Sequence, residues 1–193
     1  MNASAAPQRI LVLGPARSGK SEWAEAIAMQ SQKSVLYVAT AQEQPEDVEW
    51  QQRIALHQQR RPPDWKMEAV PVELSGLYQR ATEDQCVLVD SLGTWVANLL
   101  ELADENWETV CAETLEALEQ CAADVICVAE EVGWGVVPAY PSGRLFRDRL
   151  GQLVRRVGAI AHPVYLVTGG YVLNLSQLGT PLPRDPFSPS NPT

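Results

Sequence analysis

The chain has 193 residues, 46% of them hydrophobic and 20% charged, which suits one α/β domain with a continuous core. A formal net charge of -9 and a pI near 4.7 exclude sequence-independent binding to nucleic acid, which draws on surplus Lys and Arg. No run of about 18 apolar residues could span a bilayer, Met1 to Arg9 lack a signal-peptide pattern, and Cys86, Cys111, Cys121 and Cys127 form no Cys-x-x-Cys pair. The expectation is a soluble, cytoplasmic protein with neither a disulfide framework nor a zinc site.

The first apolar run, Ile10 to Leu13, reads as a strand. It leads directly into Gly14-Pro15-Ala16-Arg17-Ser18-Gly19-Lys20-Ser21, which matches G-x-x-x-x-G-K-[ST]. A helix pattern, Ser21 to Gln30, follows at once. Strand, glycine loop and helix are the context in which backbone N–H groups and a helix N-terminus cradle a polyphosphate. Lys20 would neutralise the β and γ phosphates, and the Ser21 hydroxyl could ligate Mg²⁺. Arg17 suits a phosphate contact and a solvent-facing position equally.

A second strand is expected over Val35 to Ala39, followed by a polar helix over Glu46 to Arg61 that Pro62 and Pro63 end. On that helix Arg53, His57 and Arg61 fall on one stripe, with Arg60 adjacent. Arginines beside an imidazole disfavour its protonation and bind phosphate oxygens, so His57 could be a neutral nucleophile. A polar surface helix could carry the same residues by composition alone. Cys86 to Val89 reads as a third strand, ending at Asp90. That residue stands where a Walker-B carboxylate would share a magnesium ion with Ser21, or where an acid would cap the strand end.

Trp107 to Cys121 has helical spacing, and Val125 to Ala129 and Val164 to Val167 read as further strands. The alternation predicts an α/β fold of P-loop NTPase type, a mostly parallel sheet with helices on both faces. His162, between Ala161 and Pro163, reads as structural. Residues 1–178 form the expected nucleotide-binding catalytic domain. From Gly179 onward, Pro181, Pro183, Pro186, Pro189 and Pro192 suggest a mobile tail over residues 179–193.

Taken together, the blocks GPARSGKSEWAE, VLYVATAQ, RIALHQQRRPPDW, VLVDSLGTWVANLL, EEVGWGVVP, GRLFRDRLG and VYLVTGG span Ile10 to Gly170. In that order they resemble the bifunctional adenosylcobinamide kinase/adenosylcobinamide-phosphate guanylyltransferases, a far more specific likeness than the glycine loop alone. The resemblance implies phosphorylation of adenosylcobinamide, then GMP transfer from GTP to give adenosylcobinamide-GDP through a guanylylated histidine. It assigns that histidine to His57, in the context Ile54 to Pro62. It places nucleotide contacts on Gly14 to Ser21, on Thr40, Ala41 and Gln42, on Gln58, Gln59, Arg60 and Arg61, and on Asp90. It also implies ATP or GTP as phosphate donor, Mg²⁺, and a homo-oligomer, a trimer in the family. Without the resemblance, a P-loop kinase for another small metabolite or a regulatory GTPase would fit the same loop. The chain lacks an Asn-Lys-x-Asp guanine motif, against the latter.

Three departures from the family pattern stand out. Relatives often carry glutamate four residues after the tryptophan corresponding to Trp65, where this chain has Ala69, with Glu68 one place early. Glu130 replaces an asparagine before Glu131-Val132-Gly133, and Val154-Arg155 replaces Asn-Gln.

Overall fold

In a computed structural model, residues 6–42 and 61–182 are described. The predicted helix over Glu46 to Arg61 therefore lies outside the described residues except for Arg61, as do His57, Gln58, Gln59, Arg60 and the tail from residue 183.

Seven strands form one sheet in the order β3-β2-β4-β5-β1-β6-β7. They are β1 (Arg9–Gly14), β2 (Ser34–Ala39), β3 (Lys66–Ala69), β4 (Gln85–Asp90), β5 (Asp124–Glu130), β6 (Val164–Thr168) and β7 (Tyr171–Asn174). All neighbours run parallel except β7, which returns antiparallel along β6. The expected mostly parallel α/β sheet is the observed one. Helices α1 (Lys20–Gln30), α2 (Leu74–Arg80), α3 (Leu92–Asn98), α4 (Asp104–Gln120), α5 (Pro141–Gly158) and α6 (Leu175–Leu178) connect and follow the strands.

The central strands are apolar without interruption because both faces are covered. Alternate side chains divide between two cores. Leu11, Leu13, Val87, Val89, Val125 and Cys127 join the cluster with α2 to α5, while Ile10, Val12, Leu88, Ile126 and Val128 join the one under α1. On the first face, fully buried Trp95 satisfies its indole N–H on the Val72 carbonyl at 2.7 Å.

Because six strands are parallel, Gly14, Ala39, Ala69, Asp90, Glu130 and Thr168 all end at one edge of the sheet. Ligand sites of open α/β sheets form outside this carboxyl edge, and here it gathers the glycine loop and Asp90. His162 lies at the other edge, where its N–H donates to the Arg9 carbonyl at 2.7 Å and the His162–Pro163 peptide is cis. β1 separates it from Gly14 by roughly 16 Å, in keeping with the structural role expected of it.

Candidate active site

The loop from Gly14 to Ser21 begins where β1 ends and turns into α1. Gly14 is obligatory by space: a Cβ there would lie 2.4 Å from Ser18 Oγ and 2.5 Å from the Val167 carbonyl oxygen. Gly19 takes φ 92°, a left-handed value that glycine adopts without strain. Ser18 N–H closes the turn onto the Pro15 carbonyl at 3.3 Å, and Trp23 N–H bonds back to Gly19 at 2.9 Å. The N–H groups of Lys20, Ser21 and Glu22 begin α1, the turn whose donors have no intrahelical partner.

Lys20 is buried despite its charge, and its ammonium donates to the Pro15 carbonyl across the loop at 3.4 Å. Ser18 Oγ is buried with no hydrogen-bond partner among the described residues. An orphaned hydroxyl, an enclosed cation and a glycine with no room for a Cβ make a cradle that an anionic oxygen would complete. Arg17 is exposed at φ 59°. Ser21, half-buried at the second position of α1, offers a hydroxyl.

Asp90 ends β4, with β5 between it and β1. In register it pairs with Val128, two residues before Glu130, the partner of Gly14. Its carboxylate accepts a hydrogen bond at 3.1 Å from the Tyr37 hydroxyl. Tyr37 is buried, and burial together with the neighbouring Asp90 charge pushes its pKa well above the usual phenol range, so it stays a donor. Above the ring, the Arg61 guanidinium carbon stands 3.2 Å from the centroid, and Arg61 Nε pairs with Glu25 Oε1 at 3.2 Å with both side chains buried. A continuous chain Glu25–Arg61–Tyr37–Asp90 thus runs from α1 to the strand-end carboxylate. The donor set of Ser21 hydroxyl and Asp90 carboxylate suits a hard divalent cation such as magnesium that also takes phosphate oxygens.

Thr40 is fully buried and acts as a clasp. Its hydroxyl donates to the Ser91 carbonyl at 2.7 Å and accepts from Ser91 N–H at 3.0 Å. Its carbonyl accepts from Asn98 Nδ2 at 2.7 Å, which also donates to Pro71. The two hydroxyl bonds join the ends of β2 and β4. Ala41 is half-buried and Gln42 exposed beside it.

The departures from the family pattern have structural outcomes. Met67 lies on the face of β3 where Arg61 Nη1 reaches its sulfur at 3.7 Å. Ala69 shares that face by strand alternation, while Glu68 projects to the other and pairs with Arg80 of α2. The Glu68 carboxylate therefore faces away from Arg61. Glu130 accepts from Gly93 N–H, in the first turn of α3, at 3.1 Å. Glu131 N–H donates to the Gly14 carbonyl at 3.0 Å, tying the β5–α5 loop to the glycine loop. Burial raises the Glu131 carboxyl above the usual range. Val154 is a core residue of α5.

Tyr37, Glu25 and the Glu131 backbone tie were not among the residues singled out from sequence. A tyrosine inside an apolar strand, and a glutamate beside the buried Ala24 of a helix, are the signals that would have marked the first two. Among the described residues there is no group of three or more His, Cys, Asp or Glu arranged as a metal site, and no helix is long and apolar enough to cross a membrane.

Residues 10–175 match the family model described as cobinamide kinase / cobinamide phosphate guanyltransferase. The chain is similar to the bifunctional adenosylcobalamin biosynthesis protein CobP of Pseudomonas aeruginosa, with 37% identity over 90% of this chain and 99% of that relative. It is likewise similar to the proteins of that description called CobU from Salmonella typhimurium (36% identity) and Escherichia coli K12 (35%), each match covering 83% of this chain and 96% of the relative. With the glycine loop, Lys20 and Asp90 assembled on one sheet edge inside the matched region, the chain belongs to the cobinamide kinase / cobinamide phosphate guanyltransferase family.

Proposed function

We propose that this chain phosphorylates adenosylcobinamide and then transfers GMP from GTP to the new phosphate, releasing adenosylcobinamide-GDP. The observation that carries the reading is the cradle of Gly14, Ser18 and buried Lys20 at the start of α1, in a chain whose matched region runs through it. Lys20 and the first N–H groups of α1 hold the β and γ phosphates of ATP or GTP and spread the charge that develops as the γ-phosphoryl leaves. The substrate hydroxyl oxygen forms a bond to the γ-phosphorus, the bond to the bridging oxygen breaks, and the nucleoside diphosphate departs as the hydroxyl proton is lost. Ser21 and Asp90 are the residues that would hold magnesium, which when bound offsets phosphate charge.

For the second reaction, His57 is the proposed nucleophile. Its imidazole nitrogen bonds to the α-phosphorus of GTP and pyrophosphate leaves; an oxygen of adenosylcobinamide-phosphate then takes the GMP and restores the imidazole. Arg61, Gln58, Gln59, Arg60, Thr40, Ala41 and Gln42 are proposed nucleotide contacts for the same reaction. Arg61 is already committed to Glu25 and Tyr37, so its contribution is to hold that side of the site as well as to offer charge. A cytoplasmic location, a trimeric assembly, and a catalytic unit over residues 1–178 with a dispensable tail belong to the same reading.

The test is labelling with α-³²P-GTP and magnesium. Wild type should acquire acid-labile, alkali-stable label and convert adenosylcobinamide-phosphate to adenosylcobinamide-GDP. His57→Asn should do neither while keeping part of its kinase activity, since asparagine cannot form the phosphoramidate. Label on the mutant, or product at the wild-type rate, would remove His57 from this role.

A further inference from the structure

The two proposed reactions differ in what the acceptor must lose. A phosphate oxygen already carries negative charge at neutral pH and attacks as it is. The hydroxyl of adenosylcobinamide is a neutral alcohol whose proton must leave as its oxygen bonds to phosphorus. The first reaction therefore calls for a base and the second does not.

Three carboxylates end β4 and β5 or directly follow them at the carboxyl edge of the sheet, Asp90, Glu130 and Glu131. Two of them already have partners. Asp90 accepts from the Tyr37 hydroxyl and is the residue that would hold magnesium. Glu130 accepts from the Gly93 N–H at 3.1 Å, and a Cβ on Gly93 would stand 2.0 Å from its Oε2. Glu131 is half-buried, and its side chain has no hydrogen bond or ion pair among the described residues. Burial without a partner disfavours a carboxylate. It raises the Glu131 carboxyl, the direction that makes it a better proton acceptor.

The backbone of Glu131 is held beside the phosphate cradle. Its N–H donates to the Gly14 carbonyl at 3.0 Å. Gly14 is in turn the residue packed against Ser18, whose Oγ is the orphaned hydroxyl of that cradle.

We propose that Glu131 is the general base of the phosphorylation step, taking the proton of the substrate hydroxyl beside the Gly14–Ser21 loop. This rests on the reading of that loop as the phosphoryl-transfer site. The hydroxyl oxygen bonds to the γ-phosphorus as a Glu131 carboxylate oxygen receives its proton. The bond to the bridging oxygen breaks, and the nucleoside diphosphate leaves with that electron pair. Being only half-buried, the carboxyl then gives its proton to solvent.

The experiment measures single-turnover phosphorylation of adenosylcobinamide by the full chain with GTP and magnesium, for wild type, Glu131→Gln and Glu131→Asp. Glu131→Gln should slow phosphorylation about 100-fold or more, and Glu131→Asp should fall between it and wild type. GTP affinity by calorimetry, and conversion of adenosylcobinamide-phosphate to adenosylcobinamide-GDP, should stay within about three-fold of wild type. The wild-type phosphorylation rate should fall on acidification as the base protonates, and Glu131→Gln should lack that limb. The charged groups on the elements around Glu131 are Arg17, Lys20 and Glu22 of the glycine loop and first turn of α1, Asp90, Glu130, and Arg144 of α5. All of them remain in the variant, so an acid limb that any of them sets would persist. Persistence of the limb would overturn the assignment, as would phosphorylation within about three-fold of wild type. So would an equal loss of both reactions, since Glu131 would then only shape the loop. A wild type that phosphorylates no adenosylcobinamide would instead strike the reading of the overall reaction. Hydrolysis of the nucleotide, in which water gives up the same proton, then decides the role of Glu131 by the same comparison.

Discussion

Tyr37 shows how a single hydroxyl can set the geometry of a site from within the core. Its ring is clamped under Arg61 at 3.2 Å, Arg61 is held by Glu25, and its O–H reaches one oxygen of Asp90 at 3.1 Å. Burial keeps the phenol protonated, so the bond to a carboxylate is charge-assisted and directional. Tyr37→Phe removes only that bond, leaving Asp90 free to rotate. It should raise the magnesium concentration for half-maximal GTP binding by about three- to ten-fold, with kcat at saturating magnesium nearly unchanged. Calorimetric titration of GTP at several magnesium levels checks this, and an unchanged requirement would show that Tyr37 does not position Asp90. Lys20, Ser21 and Asp90 were legible in sequence because a spaced motif and a strand-end acid carry their chemistry on their face. Tyr37 and Glu25 were not, because a polar tip in an apolar run acquires meaning only from partners 53 and 36 residues away.

Among the elements, the strands that the sequence analysis found are the largely buried β1, β2, β4 and β5 and the half-buried β6, each within a residue or two of its observed ends. The two it missed, β3 and β7, are the edges of the sheet. β3 reads KMEA and is largely exposed, so it lacks the apolar run on which strand prediction depends. α5 was likewise not named, although Leu150, Leu153, Val154 and Val157 recur at helical spacing; its arginines mask the stripe. One of these, Arg149, is buried against the carbonyls of Leu99, Leu100 and Leu102 at the end of α3. Arg9 does the same for α4, donating to Leu118 at 2.5 Å, Ala123 at 2.9 Å, Glu119 at 3.4 Å and Cys121. A guanidinium with five donors can satisfy several orphaned helix-end carbonyls at once, which a smaller cap cannot. Arg9→Met should therefore cost about 2–4 kcal/mol in urea unfolding, with Arg9→Lys recovering only part. A loss within about 0.5 kcal/mol would mean that water replaces the guanidinium at the helix end.

On the scale of the whole molecule, the sheet divides the interior into two cores that share its strands. The four free cysteines sample both: Cys111, Cys121 and Cys127 lie in the core under α2 to α5, and Cys86 in the one under α1. Burial pushes Cys86 and Cys127 up to about 11 and Cys111 to about 12, and raises Cys121 as well. The thiolate is the nucleophile, so at pH 8 each is both inaccessible and in its unreactive form until the fold opens. If the shared strands make the two cores one cooperative unit, all four thiols become reactive together, at a rate set by global unfolding. Native protein should thus show no thiol reacting with a disulfide reagent on the timescale of mixing, and four after denaturation. Magnesium and GTP at about 100 times their Kd should slow labelling of every site alike, by roughly 100-fold, because ligand binds only the folded chain. Mass spectrometry of partly labelled protein distinguishes the alternatives. Populations carrying none or four labels fit a single unit. Early labelling of Cys111, Cys121 and Cys127 with Cys86 still protected would show that the α2–α5 layer opens while the strand-and-α1 half, which holds the glycine loop, stays folded.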